Sequence, residues 1–106
     1  MQLARVVGQV VSTVKQPALE RFTLLLLADF VDPDDPDDPE RALDGVGDGH
    51  PYVAVDLIGA GVGEIVLVSG GGAARIAAGA EVPVDRAVVA IADSVIRAGV
   101  VTYAKS

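Results

Sequence analysis

The chain has 106 residues, enough for one domain that buries roughly two-thirds of its unfolded surface. It contains no cysteine, which excludes disulfide scaffolds, thiolate metal sites and cysteine nucleophiles. Its net charge of −7 is local: nine of fifteen acidic residues, but one basic residue, fall between Asp29 and Gly49, so the remainder is nearly neutral and offers no basic face to nucleic acid.

Only Phe22, Phe30, Tyr52 and Tyr103 are aromatic, so the core must come from Val, Leu, Ile and Ala. The opening Met-Gln-Leu-Ala-Arg lacks the basic and apolar regions of a signal peptide, and the strongest apolar run, Leu24 to Ala28, is far too short to span a bilayer. A chain working in the reducing cytoplasm, away from membranes, is expected.

In chain order, residues 3–14 are rich in β-branched side chains and predict a strand, with Gly8 marking a bulge or bend inside it. Gln16-Pro17 ends that strand, and 21–31 predict a second, because four leucines bounded by turn signals are too few for a helix. Residues 32–50, with repeated Asp-Pro-Asp, predict a solvated acidic loop. Strands are expected at 51–58 and 65–69, joined through Gly59-Ala-Gly-Val-Gly63-Glu64. A short helix follows over 71–79 with Gly79 as its C-cap. Pro83-Val-Asp turns the chain into a strand over 87–96, and a turn at Ala98-Gly99 leads to a last strand over 100–104. The fold class is all-β: a small five-stranded OB-like Greek-key barrel with one short helix and an extra C-terminal strand, a β-sandwich being the competing architecture.

Chemistry-bearing motifs are few. Gly59-x-Gly61-x-Gly63 could bring backbone close to a phosphate, but a strand follows it where a dinucleotide site needs a helix, and no Walker lysine is present. Counted from Asp32, the sixth and twelfth positions of a calcium loop would hold Asp37 and Leu43 in place of glycine and glutamate. His50 is the only histidine and lies at the end of the acidic loop, away from Ser12, Ser69 and Ser94. No catalytic residue, metal site or cofactor is expected. Asp56, Glu64, Arg75, Asp85 and Asp93 are charges set among apolar segments; intrachain pairing or solvent exposure accounts for them as readily as contacts across a subunit interface.

Three segments together resemble the EutN/CcmL family of microcompartment vertex proteins. They are Ala4-Arg-Val-Val-Gly8-Gln-Val-Val-Ser12-Thr13-x-Lys15; Ala54-Val-Asp56-x-x-Gly59-Ala-Gly61-x-Gly63-Glu64-x-Val-Leu-Val68 with Gly71 to Arg75; and Pro83-Val-Asp85-x-Ala87-Val-Val-x-Ile91-x-Asp93-x-Val95. The chain departs from the family pattern at Arg21, Thr23, Gly72 and Ala73 and in its longer, more acidic loop. The resemblance implies one vertex domain over 1–106, a non-enzymatic homopentamer that caps the five-fold corners of a bacterial microcompartment shell tiled by hexameric proteins. It makes Asp56, Gly59, Ala60, Gly61, Gly63, Glu64 and Arg75 candidates for the pentamer axis or interface. An OB-like module binding a small ligand or nucleic acid is the alternative.

Overall fold

The computed structural model describes residues 1–13, 15–30, 50–79 and 82–105. Among these described residues seven strands and one α-helix follow one another: β1 (Gln2–Val10), β2 (Thr23–Asp29), β3 (Tyr52–Asp56), β4 (Ile65–Gly70), α1 (Gly71–Ala78), β5 (Arg86–Ile91), β6 (Ser94–Arg97) and β7 (Val100–Ala104). The acidic loop expected over 32–50 lies, apart from His50, outside the described residues.

Five strands close into a barrel in the order β1-β2-β3-β5-β4, with β4 returning to β1. All neighbours are antiparallel except β3 and β5, whose parallel pairing sets Val55 against Ala87. This is the small five-stranded Greek-key barrel expected from the strand spacing. Inside it, alternate residues of every strand meet: Ala4, Val6, Leu25, Leu27, Ala54, Val66, Val68 and Val88 form one buried cluster. Full burial of a side chain such as Leu27 contributes about 1.5–3 kcal/mol.

β1 carries the expected irregularity. Val6 pairs with Leu27 and Gly8 with Leu26, so Val7 is the extra residue of a bulge. A Cβ at Gly8 would sit 3.7 Å from Leu26, an ordinary contact, so crowding does not demand glycine there.

A second cluster lies outside the barrel wall. Val55 and Ala87, on the outer face of β3 and β5, pack with Ala74, Ala78 and Val82, and Leu19, Phe22, Leu24, Val84 and Val89 flank them. In α1 only Ala74 and Ala78 are buried, one turn apart, and their small side chains let the helix lie close to the sheet. Gly79 ends α1 as expected, donating its N–H to the Arg75 carbonyl at 2.8 Å. Pro17–Leu19, where a strand break was expected, forms one 3-10 turn whose Leu19 joins this outer cluster.

The strand expected over 87–96 is divided. Its first part stays in the barrel as β5, and the Ala92 N–H still reaches the Ile65 carbonyl at 2.8 Å. At Asp93 the chain leaves the barrel, and β6 pairs with β7 in a separate two-stranded sheet. The extra C-terminal strand is therefore half of a hairpin.

Candidate functional site

Six of the seven residues singled out in the sequence share one connection, from the end of β3 to the start of β4. Asp56, half-buried, turns its carboxylate along this loop. Oδ1 accepts the N–H groups of Ile58 and Gly59, both at 3.1 Å, and Oδ2 that of Ala60 at 3.0 Å. Gly59 and Gly63 have φ of +82° and +92°, conformations that favour glycine. Neither would bring a Cβ within 4 Å of other atoms, so backbone conformation selects glycine here, and crowding within the chain does not.

The other end of the loop is held by Glu64. Its Oε1 accepts the Gly61 N–H at 2.6 Å, and its Oε2 receives Lys105 Nζ at 2.6 Å. The lysine, followed by the Gly61 N–H, holds the Glu64 carboxyl below its usual range, and the carboxylate raises Lys105 above its own. Backbone bonds fasten the loop to β1: Gly63 N–H to the Val6 carbonyl at 2.8 Å and Val6 N–H to the Glu64 carbonyl at 3.0 Å. The loop is thus a rigid turn whose exposed crest carries Val62, 69% accessible. The Ala60 methyl instead packs half-buried against the barrel core.

Arg75 stands apart from this loop. It lies on the exposed face of α1 and lines a cleft of about 370 Å³ with Gly71, Gly72, Pro83, Val84 and Asp85. Arg75 and Asp85 face the same cleft without an ion pair between them. No group of three His, Asp or Glu side chains suited to a metal ion occurs among the described residues, and no helix among them is long and apolar enough to cross a membrane.

One cluster was not visible in the sequence. Gln2 Nε2 donates to Asp29 Oδ1 at 2.9 Å and to the Tyr52 hydroxyl at 2.7 Å, and Arg86 donates to Gln2 Oε1 at 3.2 Å. The Arg86 guanidinium also lies 5.2 Å from the centre of the Tyr52 ring. Burial, followed by the nearby Asp29 carboxylate, pushes the Tyr52 phenol above its ordinary value. These residues tie together the strand ends from which the acidic segment departs and returns. Their sequence separations reach 84 residues, so no local spacing could have revealed them.

None of these features assembles a nucleophile with a base; what the chain presents is a stiff glycine loop, a charged cleft and a projecting hairpin. A family model described as ethanolamine utilisation protein EutN/carboxysome matches residues 1–93. The chain belongs to the EutN/CcmL family. The bacterial microcompartment shell vertex protein EutN of Escherichia coli (strain K12) is 41% identical over 106 residues, covering 99% of this chain and 100% of that protein. A solved structure of an ethanolamine utilization protein, EutN, superposes with a TM-score of 0.82 at 37% identity, covering 100% of both chains. The GrpN pentameric microcompartment shell protein from Rhodospirillum rubrum superposes with a TM-score of 0.73 at 38% identity, over 92% of this chain and 99% of that one. For this EutN/CcmL chain, the barrel, α1 and the glycine loop are therefore the scaffold of a family containing shell vertex proteins.

Proposed function

We infer that this chain is a structural shell protein that forms a homopentamer and caps the five-fold vertices of a bacterial microcompartment, without enzymatic activity. The observation that carries the reading is its likeness, over nearly the full length of both chains, to a pentameric microcompartment shell protein. Geometry gives the reading its sense. A flat hexagonal sheet cannot close on itself, and five-fold units introduce the curvature that closure requires. In the assembled shell the pentamer's outer flanks meet hexameric subunits.

A ring is a heterologous interface that closes by rotation, so each chain must present two different, complementary surfaces. The Gly59–Gly63 loop suits the crowded axis, being slim, stiffly hydrogen-bonded and free of bulky side chains except Val62. Arg75 and Asp85 suit a contact with a neighbouring chain, because their cleft holds opposite charges left apart within the monomer.

Native mass spectrometry at micromolar concentration tests the assembly: a five-chain species is expected, and a monomer would overturn the reading. Val62→Cys tests the axis placement. Oxidation should give covalent dimers within five-chain particles, since each thiol forms one disulfide. Links found only between separate particles would remove the loop from the axis. The alternative, an OB-like nucleic-acid binder, predicts an oligonucleotide mobility shift that a nearly neutral barrel should not give.

A further inference from the structure

The β6–β7 hairpin is the part of the molecule that its own fold does not explain. Its base is anchored: Tyr103 meets Phe30 edge-on with ring centres 6.0 Å apart, Lys105 N–H bonds the Asp93 carbonyl at 2.7 Å, and Lys105 Nζ holds Glu64. Its outer half exposes aliphatic side chains. Ile96 and Val101, paired across the ladder, are 64% and 56% exposed, and Val100 beside them is 56% exposed. A two-stranded hairpin alone is marginal in water, and aliphatic residues grouped at an exposed tip mark a contact surface.

We propose that this hairpin is an arm with which each chain grips the next copy in the ring, its Ile96–Val101 pair seated in the groove between β2, β3 and residues 83–86 of the neighbour. The inference rests on the pentamer reading. Two observations point to a second copy as the occupant. The arm's base is tied through Lys105 to Glu64, in the loop assigned to the axis, so the arm springs from a surface that already faces neighbours. The groove on the same chain is mostly apolar: a cleft of about 230 Å³ lined by Leu19, Leu24, Val53, Pro83 and Val84 together with the charged Asp85 and Arg86, with Val53 44% exposed. That volume lies below the usual range for small-molecule pockets and suits one or two aliphatic side chains. The closed barrel offers no free strand edge, so on a neighbour's barrel the arm docks through side chains. One arm and one groove per chain satisfy the two-surface requirement of a ring.

The test compares the wild type with two variants by native mass spectrometry. Ile96→Lys with Val101→Glu makes the tip polar while leaving an opposite-charge cross-strand pair to support the hairpin. Val53→Lys blocks the groove at a position that already faces solvent. Each variant should keep the wild-type circular dichroism yet raise the concentration for half-assembly about a hundredfold or more. Mixed together they should form 1:1 dimers, because the groove of the first remains open to the arm of the second. Wild-type rings with variant rings of equal stability would overturn the arm alone, as would mixing that yields no dimer. A wild type that stays monomeric would overturn the pentamer reading and the arm with it. If the tip variant fails to fold, an undiminished ring of Val53→Lys overturns the docking on its own.

Discussion

Glu64 joins the turn Gly61–Glu64 to the chain's last described residue, and its pH behaviour can be worked out. Its carboxyl titrates below the reference value of 4.5 in the folded chain, and Lys105 titrates above 10.5. The carboxylate contribution is therefore fully present above about pH 4.5 and is lost as pH falls through the lowered folded value. The lysine contribution is present below 10.5 and disappears as pH rises through its raised value. Both groups reach solvent, so the effect is modest and weakens with salt. For Lys105→Gln, the loss of melting temperature relative to wild type should be greatest near neutrality and shrink as pH falls below 4.5. A difference constant from acid to neutral pH would show that the pair contributes nothing to stability. Glu64 could be picked out from the sequence because it ends a glycine-spaced run. Its partner could not, because Lys105 lies 41 residues away in an unremarkable tail.

At the scale of elements, local signals were legible where a residue type dictates the backbone. Gly79 marked the end of α1 and Gly99 the hairpin turn, both with positive φ, whereas Gly8 fell at the β1 bulge although neither its conformation nor its neighbours require glycine. The break between β5 and β6 was not legible, because Ala92-Asp93 contains neither glycine nor proline and the chain departs through tertiary hydrogen bonds. The parallel β3–β5 pairing is likewise a product of closure and leaves no local trace. The turn itself carries a measurable cost. Ala98 has φ of +51° and Gly99 of +77°, the pattern of a two-residue hairpin turn with both central residues left-handed. Alanine is strained there by about 1 kcal/mol, and asparagine tolerates the conformation better. Ala98→Asn should raise the hydrogen-exchange protection of the Arg97 and Val100 amides, the pair that closes the turn, about two- to fivefold, without altering barrel protection. Unchanged or lower protection would show that the turn is not left-handed in solution.

For the whole molecule, chain composition spoke to what it excludes, and the five-fold assembly came only from the resemblance carried by the motifs around Gly8, Gly59–Glu64 and Pro83–Asp93. The location of charge adds a physical consequence to that assembly. Each copy carries −7: the nine acids and one base between Asp29 and Gly49 give −8, and the rest of the chain, with six acids and seven bases, gives +1. Bringing five such chains together sets like charges near one another, and this repulsion opposes the ring while leaving each barrel's core untouched. Salt screens it, since the Debye length falls from about 30 Å at 0.01 M to about 10 Å at 0.1 M. Added salt also strengthens apolar contacts only slightly in this range, so screening should dominate. The pentamer should therefore dissociate at a lower concentration in 0.1 M than in 0.01 M sodium chloride. Replacing Asp32, Asp34, Asp35, Asp37 and Asp38 by asparagine should remove most of that difference and tighten the ring at low salt. A wild-type ring that loosens as salt is added would mean instead that attractive ion pairs between chains, such as Arg75 with a neighbour's carboxylate, outweigh the repulsion between the acidic segments.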